Sequence, residues 1–119
     1  MGDSDGAAVT AKIVWFEMPS RDTARAREFY TGLFGWSFEP FAGMDYHMAG
    51  EAGGAVYSDS EARGITAYFG VLDVEQAAKQ VTELGGKAGE RQEIPGVGFY
   101  VQCEDLDGNR FGIYQEVAG

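Results

Sequence analysis

The stretch IVWFEMPSRDTARAREFYTGLFGW, from Ile13 to Trp36, holds a strand, a break, a helix and a stop in that order. Ile13, Val14, Trp15, Phe16 and Met18 crowd β-branched, aromatic and apolar side chains into one short run. That predicts a strand ending at Pro19, which has no N–H to give a ladder. Ser20 or Asp22 can accept from the free N–H groups of a first helical turn. Ala26, Tyr30 and Leu33 recur at i, i+4 and i+7 with Phe29 beside them, while Arg25, Arg27 and Glu28 take the other side. The helix is therefore expected to lay an apolar stripe on a sheet, and Gly35 to stop it.

The unit returns 51 residues later, with Asp73 for Asp22, Ala77 for Ala26, Val81 for Tyr30, Leu84 for Leu33, Gly86 for Gly35 and Thr66 for Trp15. An internal repeat is the economical explanation. The second copy has a strand at Ile65 to Val71, a helix capped by Asp73 with Gln76 as capping-box partner, and Gly85-Gly86 as a left-handed stop. Each helix is followed by hairpin material. After the first come short strands at Trp36 to Phe41, Asp45 to Met48 and Gly54 to Tyr57; after the second, Phe99 to Cys103 and Arg110 to Gln115 around the turn EDLDGN, whose Asp107-Gly108 favours a tight hairpin. Pro95, Gly96 and Gly98 make Glu90 to Gly98 the expected mobile lid.

Each half thus reads βαβββ, and the pair an α+β fold of curved mixed sheets around a concave cavity. The expected boundaries are a flexible tail over 1–10, a first module over 11–58, a linker over 59–63 and a second module over 64–117, one structural domain in all.

With 119 residues, 45% hydrophobic and 13% aromatic, the chain can bury a core. A net charge of −10 argues against nucleic acid, whose phosphates demand a basic face, and permits a cationic ligand. No apolar run reaches membrane-span length, so no membrane role is expected. Cys103 is the single cysteine, which excludes an intrachain disulfide. The acidic start MGDSDGAAV is unlike a secretory leader, and a cytoplasmic protein is the expectation.

Strand alternation nominates the cavity lining. With Val14, Phe16 and Met18 under the helix, Trp15 and Glu17 face the concave side, as do Thr66 and Tyr68 in the repeat. Ala55 and Tyr57 join from the fourth strand, and Gly112 and Tyr114 from the last. Aromatic walls offer stacking area, Ala55 and Gly112 leave space, and Glu17 favours a cationic group, a lining that suits a flat organic ligand. Trp15 and the tyrosines are equally types that fill ordinary cores. Glu17 is different, because a carboxylate within an apolar strand needs a partner. Glu17 and His47, the lone histidine, are the only candidates for catalysis, and Cys103 reads as a small buried residue.

The stretches FEMPSRDTARAREFYTGLFGW, VLDVEQAAKQVTELGG and EDLDGNRFGIYQ resemble the vicinal oxygen chelate superfamily, which includes glyoxalase I, extradiol dioxygenases and bleomycin-resistance proteins. The resemblance spans about residues 11 to 117. In its metal-dependent members a module supplies His or Gln from its first strand and Glu from its last. Carried over, these positions fall on Trp15, Thr66, Ala55 and Gly112, which cannot ligate as the family does. Glu17, His47 and Glu51 are the remaining alternative ligands. The resemblance therefore implies a metal-free, cofactor-free homodimer that sequesters a small molecule in the manner of the drug-binding members. The alternative it implies is an enzyme, whether a glyoxalase-like lyase or isomerase, a dioxygenase or a hydroxylase, with displaced metal ligands or metal-free acid/base chemistry.

Overall fold

The computed structural model describes residues 11–117, so the tail expected over 1–10 lies outside the described residues. The chain forms two compact units, one holding residues 15–66 and the other residues 67–117 with 11–14. Both follow the expected strand–helix–strands plan. No helix among the described residues is long and apolar enough to cross a membrane.

The first module consists of β1 (Ile13–Ser20), α1 (Thr23–Phe34), β2 (Glu39–Pro40), β3 (Tyr46–Ala49) and β4 (Gly54–Ser58). β4 pairs parallel with β1 in the register Glu17↔Ala55, and antiparallel with β3 in the register Tyr46↔Tyr57. β2 extends the sheet beyond β3. The strand does not end at Pro19 as expected. Phe16 N–H donates to Gly53 O, so the alternation of a parallel ladder turns the nitrogens of Glu17 and Pro19 away from β4 and the missing donor costs that pairing nothing. Asp22 is the N-cap, accepting from Arg25 N at 3.1 Å, and Gly35 is the left-handed stop at φ 74°. Beneath α1 lie the buried Met18 and Val56, and Thr23 of its first turn is buried with them. The stripe itself is only half used: Ala26 and Tyr30 are partly covered, but Phe29 and Leu33 are exposed.

The second module has β5 (Thr66–Gly70), α2 (Val74–Glu83), β6 (Lys87–Ala88), β7 (Gln92–Ile94), β8 (Gly98–Glu104) and β9 (Arg110–Glu116). β9 pairs parallel with β5 and antiparallel with β8. Asp73 caps α2 by accepting from Glu75 N and Gln76 N, and Val74 N–H goes to Gln115 Oε1 at 2.9 Å. Under the helix Val74, Ala77, Val101, Cys103 and Ile113 form the buried cluster. The segment expected to be a mobile lid is instead fastened. Residues 92–94 add β7 to the edge of β8, Val97 O accepts from both Val117 N and Tyr114 Oη, and Arg91 sits 4.5 Å over the Phe99 ring. Its Pro and Gly residues build a hairpin turn, with Val97 N–H closing onto Ile94 O.

Candidate functional site

Trp15 and Glu17 lie two residues apart on β1 and so share a face of the first sheet. The register brings Ala55 beside Glu17, Met48 beside Ala55, and Tyr46 beside Tyr57. Trp15, Glu17, Ala55 and Tyr57 are thus brought together as expected. The residue that binds the group was missed. Tyr46 Oη accepts from Trp15 Nε1 at 2.8 Å and donates to Glu17 Oε2 at 2.6 Å. Its ring lies 6.1 Å from Tyr57 on one side and 6.1 Å from Phe41 on the other. A signal for it existed: the turn Ala49 to Gly53 fixes the β3–β4 hairpin register, which puts Tyr46 opposite Tyr57.

The direction of this chain of hydrogen bonds matters. An indole N–H can only donate, so Tyr46 receives at its oxygen and gives its proton to Glu17, which acts as the accepting carboxylate. At 2.6 Å the phenol–carboxylate bond has the length of a charge-assisted one. Trp15, Glu17, Tyr46 and Tyr57 are all half-buried, so the aromatic surface around the carboxylate remains reachable.

On the second module Tyr68 is only 5% exposed. Its ring packs edge-on against Tyr100 at 6.0 Å, and its hydroxyl accepts from Gln102 Nε2 at 3.2 Å. The space expected above Gly112 is filled, because a Cβ there would overlap the Tyr68 ring. Ala55, at 1% exposure, likewise lies under its neighbours and opens no void. Tyr114 is half-buried, and burial together with nearby Glu116 raises its hydroxyl above the usual phenol range. Thr66 begins β5 and is half-buried.

His47 alternates with Tyr46 and points to the opposite side of the sheet, paired across β4 with Val56. There its Nε2 lies 2.8 Å from Asp45 Oδ1, which also accepts from Thr23 Oγ1 at 2.7 Å. The Thr23 hydroxyl, then His47, holds Asp45 below the usual carboxylate range. His47 therefore fastens the start of β3 to the first turn of α1 and does not meet Glu17. Glu51 accepts from Ser37 N at 2.9 Å, which lowers its carboxyl. Burial pushes the Cys103 thiol up to about 11, the behaviour of a packing residue.

A divalent cation in such a protein takes several imidazole or carboxylate ligands. The Trp15 face offers one carboxylate with phenols and an indole, and the Tyr68 face phenols and an amide. Among the described residues no three His, Cys, Asp or Glu side chains gather. This donor set does not fit the metal that the sequence resemblance would imply, and no step is derived through one.

Residues 12–49 match the family model described as Bleomycin resistance protein-like N-terminal. No curated protein sequence matches the chain significantly. Among solved structures it is similar to homoprotocatechuate 2,3-dioxygenase from Arthrobacter globiformis, with TM-score 0.73 and 23% identity over 97% of this chain and 39% of that one. The enzyme of the same name from Brevibacterium fuscum gives TM-score 0.69 and 21% identity over 91% and 37%. Methylmalonyl-CoA epimerase from Streptomyces coelicolor gives 0.67 and 14% over 92% and 96%. The chain thus spans less than two fifths of either dioxygenase and nearly all of the epimerase. At such identities the likeness is one of fold, and that fold is the α+β fold of the vicinal oxygen chelate superfamily.

Proposed function

We propose that this chain, built on the vicinal oxygen chelate fold, is a small-molecule-binding protein. It takes a flat, cationic organic ligand against the Trp15, Tyr46 and Tyr57 rings with Glu17 as counter-ion. The observation that carries the reading is the Trp15–Tyr46–Glu17 relay. A carboxylate fixed by a phenol within an aromatic surface is preorganised for a positive charge, and the faces of Trp and Tyr attract one too. The acidic chain and the match of residues 12–49 to a bleomycin-resistance-like model support it. Such a binder sequesters its ligand without covalent chemistry. We also read it as metal-free, and as a cytoplasmic homodimer.

The test is a calorimetric titration of the full chain with bleomycin and with ethidium, a planar aromatic cation. Binding of either with a negative heat-capacity change, weakened at least tenfold by Trp15→Ala, agrees with stacking on this face. Saturating binding unaltered in Trp15→Ala contradicts the site, and no heat with either probe contradicts the ligand class.

The same hydrogen bond favours a second reading, an enzyme of the isomerase or hydrolase type in which Glu17 takes a proton and the Tyr46 hydroxyl stabilises developing charge. The similar solved proteins are named as dioxygenases and an epimerase. This reading predicts that Glu17→Gln abolishes turnover of a carbon-acid substrate while leaving its binding largely intact, whereas a pure binder shows no turnover in either form.

A further inference from the structure

Helix α1 turns to solvent much of what its sequence pattern assigns to a core. Phe29, Leu33 and Phe34 are 60%, 58% and 56% exposed, and Ile65 is 62% exposed. These side chains form one surface. The Phe29 ring meets Tyr30 edge-on at 5.0 Å and Tyr30 stacks near Phe34 at 6.1 Å. Leu33 stands one helical turn beyond Phe29. Phe29 and Ile65 line a common groove of about 350 Å³ floored by Met18, Ala26 and Val56.

We propose that this face is the interface through which two copies of the chain form an isologous dimer, each laying its α1 ridge into the other's groove. The inference rests on the homodimer reading above and adds the surface that makes it. Met18 and Val56 alternate away from Glu17 and Ala55, so the groove lies on the side of the sheet opposite the Trp15 face. The interface and the ligand site are therefore separable.

Two features favour a second copy as the occupant. The first is area. More than half of each of four large side chains exposes about 400 Å² of continuous apolar surface. A standard dimer hides roughly 800 Å² per partner, about two thirds of it apolar, so this patch supplies most of the apolar centre. The second is shape. A two-fold interface must be self-complementary, and here a ridge of Phe29, Leu33 and Phe34 runs beside an apolar groove, a knob and a hole on one surface.

Sedimentation velocity of the full chain across roughly 1 to 100 μM tests the proposal. We expect a dimer whose Kd rises at least about 100-fold in Leu33→Asp, since the dimer would bury an unpaired charge. Leu84→Asp, at a similarly exposed apolar residue of the other module, is expected to leave Kd unchanged. Circular dichroism of each variant separates lost folding from lost association. A second measurement does not depend on the charge variant. Cys103 is buried, so a spin label on Leu33→Cys reports one site, and the dimer places the two labels within about 25 Å, roughly two helix diameters. A monomer at every concentration overturns both the surface and the homodimer reading. A dimer indifferent to Leu33→Asp, or with labels far beyond that distance, overturns the surface alone. None of these outcomes bears on ethidium binding at Trp15.

Discussion

Tyr46 shows how one hydroxyl can organise a site. It accepts from Trp15 and donates to Glu17, and replacing it removes both bonds at once. Tyr46→Phe is predicted to destabilise the fold by roughly 1–3 kcal/mol, the cost of leaving a part-buried carboxylate and indole short of partners. It should also weaken cation binding, which unfolding curves and calorimetry measure separately. Gly112 makes a sharper case, because any Cβ there overlaps the buried Tyr68 ring. Gly112→Ala is predicted to cost about 1–3 kcal/mol by forcing that ring to move, read as a lowered denaturant midpoint at unchanged slope. The sequence offered Gly112 as open space, since a glycine says nothing of what fills the volume its missing side chain vacates. Tyr68, placed by alternation alone on the proper face, lies down over it. Alternation gives the face a residue points to, and only packing gives its depth.

At the scale of elements, the caps were the most legible feature. Asp22 and Asp73 occupy equivalent N-caps, and Gly35 takes the positive φ expected of a stop. Asp73→Ala is expected to lose about 0.5–2 kcal/mol, and more than Asp22→Ala, because Asp73 accepts from two N–H groups and Asp22 from one. Helix periodicity overstates how much of each stripe is packed. Leu33 and Leu84, matched by the repeat, are both exposed, since each helix meets its sheet along its first turns and leaves its last turn clear. The presumed lid failed for a different reason: Pro95 and Gly96 signal a turn equally well in a loose loop and in a tight hairpin, and the pairing of β7 with β8 decides between them. Two loops also carry a pH dependence. Hydrogen bonds from Thr23 and His47 lower Asp45, and those from Asn109 and Asp107 lower Asp105. A carboxyl depressed in the folded state stabilises above its unfolded pKa, and that contribution is lost as pH falls through the folded value. Stability should therefore fall on the acid side, below the ordinary carboxylate range, and Asp45→Asn or Asp105→Asn should flatten that limb in unfolding measured against pH.

For the whole molecule, the two-module plan was legible because it is stated twice, with caps and helix stripes at a constant offset, although the left-handed stop of the second helix falls on Gly85, one residue short of that offset. The proposed ligand site was legible in part: the shared face of Trp15, Glu17 and Tyr57 follows from alternation, whereas the place of Tyr46 depends on a hairpin register that no single strand reveals. Cys103, packed in the second module with its thiol pushed up to about 11, reports on global integrity. Labelling by a disulfide reagent near pH 8 should be slow in the native protein and should track unfolding in denaturant. Glu17 as the counter-ion of an aromatic site is tested most directly by comparing ethidium with its uncharged parent phenanthridine on the native chain and on Glu17→Gln. We predict that Glu17→Gln costs ethidium at least tenfold in affinity, about 1.4 kcal/mol, and leaves phenanthridine nearly unchanged. Equal losses for the two ligands, or none for either, would contradict it.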